Sequence, residues 1–184
     1  MSLLGQDMSK QLEPEYDVAL YEFLDQIEAS LSADDAPKGT LEQIKIIAEA
    51  IDERFGGKRT ENYLIELIGI QRARESPIIP LGSISVGVHR ERALLFKLVC
   101  DNQSIPVSLQ RGKLKHLVYE RHLVCVNKKT NLMRDPLKYL LGDYGKVWNS
   151  FYLNEKQFIV DLMHNPGTIL DIDSPEAKRY ISFG

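Results

Sequence analysis

The residues with the most chemical potential in this chain crowd at the start of one predicted helix. Within Pro80-Leu-Gly-Ser-Ile-Ser-Val-Gly-Val-His-Arg-Glu-Arg-Ala-Leu-Leu-Phe-Lys-Leu-Val-Cys-Asp101, the first helical turn carries His89, Arg90, Glu91 and Arg92. Unpaired backbone N–H groups and the positive end of the helix dipole coincide there, so this is where the helix would do chemistry. Other candidates are scattered: Ser83 and Ser85 just upstream, His122 opening a predicted strand, Asp161 late in another, and Cys100 and Cys125 inside apolar runs. His116 and His164 stand in polar, loop-like surroundings and are expected to be solvated. Gly82-Ser-Ile-Ser-Val-Gly87 has glycines and hydroxyls ahead of a helix, but it lacks the Gly-Lys-Ser/Thr ending and the preceding apolar strand of a phosphate loop. Its glycines read as a tight turn into the helix.

The helix itself is expected to be buried and central, because Ala93, Leu94, Leu95, Phe96, Leu98 and Val99 are too continuous for a surface stripe. Ahead of it, residues 1–13 show no periodicity and read as a flexible arm, and Tyr16 to Leu31 has the spacing of an acidic amphipathic helix. Ser32 to Gly39 is a loop by composition. Thr40-Leu-Glu-Gln43 has the pattern of a capping box, opening a second helix that stops at Gly56-Gly57. A third, short helix is predicted from Thr60 to Gln71, with a strand as the alternative, and Ser76-Pro77 breaks it.

Beyond the central helix the period changes. Ile105 to Arg111 alternates as a half-buried strand and Gly112 closes it; His122 to Val126 and Gln157 to Leu162 are the next strands, the last ended by Asn165-Pro-Gly167. Residues 127–156 read as an insertion with a short helix near Pro136 to Leu141, and its Trp148, Phe151 and Tyr152 fill a core or anchor a partner. Helices first, then a helix followed by strands, point to an α+β fold with an antiparallel sheet. The organisation expected is an arm (1–13) and one domain (14–184), with a helical part at 14–75, core segments at 76–126 and 157–173, and the insertion at 127–156.

Length and charge narrow the classes. A chain of 184 residues suits one domain with a proper core. No apolar run approaches a membrane span, and the start has no basic segment leading into an apolar one, so a cytoplasmic protein is expected. Two cysteines in apolar runs argue for reduced core residues. The net charge of −3 hides an asymmetry: the first third is acidic, whereas Arg111, Lys113, Lys115, Arg121, Lys128, Lys129 and Arg134 make the middle basic. That basic region suits an acidic protein partner or a phosphate, and the absence of interleaved aromatics argues against nucleic acid.

The order of a helix with a reactive end, a strand, a strand opening with His and a strand ending in Asp is that of the papain-like and transglutaminase-like fold. At the residue level, the stretch from Pro80 to Lys97, then Ile105-Pro-Val107, Gln110-Arg-Gly112 and Phe158-Ile-Val-Asp-Leu162 with Asn165-Pro-Gly167, resembles the peptidase-like domain shared by plant ethylene-response Raf-like kinases and the C-terminus of an armadillo-repeat protein. The resemblance covers about Leu41 to Asp173.

It implies a triad whose nucleophile is a Cys at the helix N-terminus, whose base is a strand His and whose orienting acid is a strand Asp. Those positions fall on His89, His122 and Asp161. His89 stands where the plant domain has Cys, and Glu91 where it has His. An imidazole forms only a labile acyl species, so cysteine-type catalysis should be absent. Cys100 cannot replace it, lying about 16 Å further along the helix axis; Cys125 lies three residues from His122, on the opposite face of a strand.

The expectation is therefore a catalytically inactive transglutaminase- or peptidase-like domain acting as a protein-interaction or scaffolding module, with no resident cofactor. The armadillo-type relative implies a cytoskeletal or ciliary setting. Two alternatives stay open. His89, His122 and Asp161 are the ligand types of several zinc and non-haem iron sites, with Glu91 as a further ligand or simply a dipole-complementing acid. A hydrolase or transferase using Ser83 or Ser85 with His122 requires a hydroxyl within hydrogen-bond reach of the imidazole.

Overall fold

Four α-helices and a four-stranded antiparallel sheet make up the described residues of the computed structural model, which are 17–33, 39–57, 63–74, 79–112 and 147–181. Helix α1 (Val18–Ser32) is capped by Asp17, whose Oδ1 accepts from the Leu20 N–H at 3.3 Å, and buries Phe23, Leu24 and Ile27. Helix α2 (Thr40–Arg54) buries Ile44, Ile47, Ala48 and Ile51. Its start differs from the predicted capping box. Gly39 is the N-cap and Thr40 is already inside the helix, so no side chain caps it. Its end is as expected, with Gly56 and Gly57 at φ +68° and +70°, a region that glycine enters without cost.

Helix α3 (Tyr63–Arg74) forms in place of the alternative strand and buries Tyr63 and Leu67. Helix α4 (His89–Asn102) is central: it packs against α2 and against the middle of the sheet, burying Ala93, Leu95, Phe96, Val99 and Cys100. Each such large apolar side chain is worth roughly 1.5–3 kcal/mol against its exposed state. Leu94 departs from the expected continuous burial and stands 40% exposed on the outer face.

The strands β1 (Ser108–Arg111), β2 (Val147–Leu153), β3 (Lys156–Val160) and β4 (Ile169–Asp171) lie side by side in chain order. Asn154 and Glu155 join β2 to β3, both at positive φ, as a two-residue turn matched to strand twist demands. Residues 147–153 correct the predicted insertion: they are an inner strand, paired to β1 and β3 on either side. The pattern concealed them because Asn149 and Ser150 are buried polar residues in the middle of the strand. Asn149 is satisfied there by donating through Nδ2 to the Ala93 carbonyl of α4, at 3.1 Å. Phe151 is core, Trp148 is half-buried and Tyr152 is 68% exposed.

Side chains alternate across β2, so the sheet has two covered faces. One meets α4 through Val147, Asn149 and Phe151. The other carries Trp148, with Ile159 of β3, under Ala177, Tyr180 and Ile181 of the C-terminal segment. The predicted strand at 122–126, the helix near 136–141, the arm at 1–13, Cys125 and His116 lie outside the described residues. No helix among the described residues is long and apolar enough to cross a membrane.

Candidate functional site

The entry to α4 is built by close backbone approach. Gly82 and Gly87 were expected to provide a turn, yet neither has positive φ; what each supplies is the absence of a side chain. A Cβ on Gly82 would lie 2.1 Å from Asp17 Oδ1, and one on Gly87 would lie 2.8 Å from the Phe55 ring. Gly82 instead donates its N–H to Asp17 Oδ2 at 2.7 Å and accepts from Arg54 through its carbonyl at 2.9 Å. The segment is thereby tied to α1 and to the end of α2.

Arg92 fixes the other side. A cation in the first turn opposes the helix dipole and is tolerated only with compensation. Here it is 1% exposed. Its Nε donates to the Gly87 carbonyl at 2.9 Å, one terminal nitrogen donates to Asp52 Oδ1 at 2.5 Å and to the Leu162 carbonyl at 3.0 Å, and the other donates to the Gly57 carbonyl. The Phe55 ring lies beneath it, 5.8 Å from centroid to guanidinium carbon. One side chain thus joins the end of α2, the entry to α4 and the segment after β3. Glu91, 1% exposed, turns back so that Oε2 accepts from the Val88 N–H at 3.3 Å and Oε1 accepts from Arg90 at 2.9 Å. Glu91 therefore does act at the helix start, as a cap, with Val88 supplying no side-chain acceptor in return.

Asp161 follows β3 directly and opens a tight loop, its N–H donating to the Thr168 carbonyl at 2.9 Å and its carbonyl accepting from Gly167 at 3.0 Å. Its carboxylate is buried. Oδ1 accepts from the backbone N–H of Met163 (2.9 Å) and His164 (2.8 Å) and from the Tyr180 hydroxyl (2.5 Å). Burial alone would raise this carboxyl, but the bonds from Tyr180, His164, Met163 and Asn165 outweigh it and hold it below its ordinary value. Burial, reinforced by the carboxylate it serves, pushes the Tyr180 hydroxyl well above the usual phenol range, so it stays a donor.

His89, the first residue of α4, meets this loop through ring contacts. Its imidazole stands 5.9 Å from the Tyr180 ring at 80° and 6.2 Å from the His164 ring at 66°, and the last two rings are 6.1 Å apart. Three rings form a triangle of edge-to-face contacts, and Asp161 positions two of them. The structure accordingly brings His89 and Asp161 into one cluster, while His122 lies outside the described residues.

Tyr180 had no sequence motif; the only available signal was the i, i+3, i+4 spacing of Ala177, Tyr180 and Ile181, which marks a short helical turn. His164 is exposed, as a polar loop suggests, yet its ring and its N–H both belong to the cluster.

The remaining candidates have other employment. Cys100 is fully buried and its thiol is pushed up to about 12, chiefly by desolvation. Ser85 is exposed and binds Glu66 of α3 with both its N–H and its hydroxyl, the latter at 3.0 Å. Ser83 is exposed in the short 3-10 turn Leu81–Ser83. Among the described residues no three His, Cys, Asp or Glu side chains are grouped so as to hold a metal ion.

A family model described as EDR1/CTR1/ARMC3, peptidase-like, matches residues 12–170. Armadillo repeat-containing protein 3 of Homo sapiens is 25% identical over 158 residues, covering 76% of this chain and 15% of the relative. The Arabidopsis thaliana serine/threonine-protein kinase CTR1 is 31% identical over 115 residues (59% of this chain, 14% of the relative), and the probable serine/threonine-protein kinase SIS8 of the same plant is 29% identical over 99 residues (54% and 7%). The chain thus spans a small part of each of these relatives. No solved structure matches it.

Proposed function

The chain belongs to the EDR1/CTR1/ARMC3 peptidase-like family, and on that premise we propose that it is a non-catalytic domain on a transglutaminase- or papain-like scaffold whose role is to bind a protein partner. One observation carries this reading: at the head of α4, where the family resemblance expects a thiol, stands His89, held edge-on to Tyr180 and His164. An imidazole there does not give a stable acyl intermediate. The thiol elsewhere on α4, Cys100, is neutral at physiological pH and enclosed. Asp161, the residue matched to an orienting acid, serves the Tyr180 hydroxyl and two backbone N–H groups, and so anchors the loop.

A module role is supported by the relatives, in which the matched region is a minor share of chains named for armadillo repeats or for kinases. The partner surface is the basic region of Arg111, Lys113, Lys115, Arg121, Lys128 and Lys129, of which Arg111 ends β1 and the rest lie outside the described residues. Its chemistry suits an acidic polypeptide.

The test is an assay of amide hydrolysis and of amine transfer to glutamine-containing peptides, with metal analysis of the same preparation and binding to poly-glutamate as a probe. No turnover is expected, and reversing Lys128 and Lys129 to Glu should weaken poly-glutamate binding. Turnover abolished by His89→Gln, or stoichiometric metal lost with His89→Ala, would replace this reading with an enzymatic or metal-binding one.

A further inference from the structure

The two faces of the sheet are covered by separate apolar clusters that are fastened differently. The larger takes side chains from all four helices. The smaller is Ile159 of β3 with Ala177, Tyr180 and Ile181, flanked by Trp148, Leu170 and Ile172, so the chain after β4 supplies its outer wall. Within that segment the backbone bonds are local. Ser174 donates to the Asp171 carbonyl at 2.9 Å, Arg179 to that of Glu176 at 3.1 Å, and Tyr180 and Ile181 to that of Ala177 at 2.9 and 3.0 Å. The Ala177 N–H donates to Ser174 Oγ at 3.2 Å. All of these bonds survive if the segment lifts away. Upstream of them, Ile172 donates to the Gln157 carbonyl of β3 at 3.3 Å and marks the hinge.

The segment buries Ala177, Tyr180 and Ile181, whereas Asp173, Pro175, Glu176, Lys178 and Arg179 are exposed. Its polar anchor is the Tyr180 hydroxyl, which donates to the buried Asp161 carboxylate at 2.5 Å. A unit with few buried apolar side chains opens before the core does. Opening has a specific consequence here, because the Tyr180 ring also packs on His89 and His164, with centroids 5.9 and 6.1 Å away. With the segment in place, His89 Nδ1 and the Asp161 side chain are both buried. One tyrosine thus covers the two residues that the family resemblance singles out. We propose that residues 172–181 are a detachable strap that lifts as a unit while α4 and the sheet stay folded, and that its closure governs access to the His89–Asp161 cluster. Such gating is the same whether the cluster is catalytic or only meets a partner.

The experiment is residue-resolved amide hydrogen exchange of the whole chain without denaturant, repeated with Tyr180→Phe in the strap and Leu67→Ala in the other cluster. The Tyr180 and Ile181 amides should exchange about tenfold or more faster than those of Phe96 and Val99 in α4. Tyr180→Phe should quicken the strap amides about tenfold or more, because the lost bond is to a charged acceptor. Leu67→Ala should quicken the α4 amides and leave those of the strap unchanged. Equal exchange in the two regions, strap amides indifferent to Tyr180→Phe, or strap amides quickened by Leu67→Ala would each overturn the proposal. A second variant holds the strap open: Ala177→Asp puts a charge at its fully buried point. The emission of Trp148, the single tryptophan, should then shift to the red, and the His89 ring protons should change shift as the Tyr180 ring leaves, with the helical ellipticity kept. Loss of that ellipticity would show the strap to be part of the cooperative core, and unchanged Trp148 emission would show that the strap does not lift as a unit; either result excludes the gate.

Discussion

Among the carboxylates that grip the entry to α4, those of Asp52 and Glu66 are not equivalent. Asp52 on α2 takes Arg92, a cation 1% exposed with three backbone carbonyls as further acceptors. Glu66 on α3 takes the N–H and hydroxyl of Ser85 at the surface. In the first case water cannot replace a lost partner, and in the second it can. Burial, more than the count of hydrogen bonds, decides which grip holds the fold together. The same contrast separates the helices: α2 presses Phe55 against Gly87 and contributes a full apolar face, whereas α3 contributes Tyr63 and Leu67.

That contrast can be broken most directly at Arg92. Arg92→Ala strands Asp52 and the carbonyls of Gly57, Gly87 and Leu162, and should cost about 3–5 kcal/mol, measured by urea denaturation. A cost near that of a surface substitution would show that the buried side is no tighter than the exposed one.

Tyr180→Phe tests the buried side without removing a charge. It should cost about 1.5–3 kcal/mol at neutral pH by taking one donor from the Asp161 carboxylate. The pH dependence sharpens it. Because folding lowers the Asp161 value, its contribution is present above the unfolded value of about 3.9 and is lost as pH falls through the lowered folded value. Tyr180→Phe moves the folded value back up, so the variant should lose less stability on acidification and converge with the parent at low pH. Parallel stability curves across the acid range would refute the assignment.

Ser85→Ala should be the mildest, about 0.5 kcal/mol or less, because both partners stay solvated. Amide exchange should then quicken in α3 alone, and a large global loss would mean that the surface grip matters as much as the buried one.

Much of the helical half was legible because its signals are local. The acidic amphipathic spacing of α1, the apolar stripe of α2 and its stop at Gly56-Gly57 need only neighbours within a few positions. The capping box at Thr40 misled for a related reason: the pattern recurs by chance, and which residue stands at the N-cap depends on how the preceding loop arrives. Strand β2 escaped because Asn149 and Ser150 break its apolar alternation, and Asn149 is sensible only once Ala93 of α4 is opposite.

The candidate site divides along the same line. Residue order alone was enough for the α+β class, the central helix, the chemical weight of its first turn and the family resemblance that singles out His89 and Asp161, since each rests on periodicity or on a contiguous motif. The partners of those residues were a tertiary matter. Asp161 meets Tyr180 across 19 positions, and Arg92 meets Leu162 across 70 and Asp52 across 40. Buried polar groups need partners wherever the fold can deliver them, and a partner that arrives from a distant segment leaves no periodic trace in the chain that carries it.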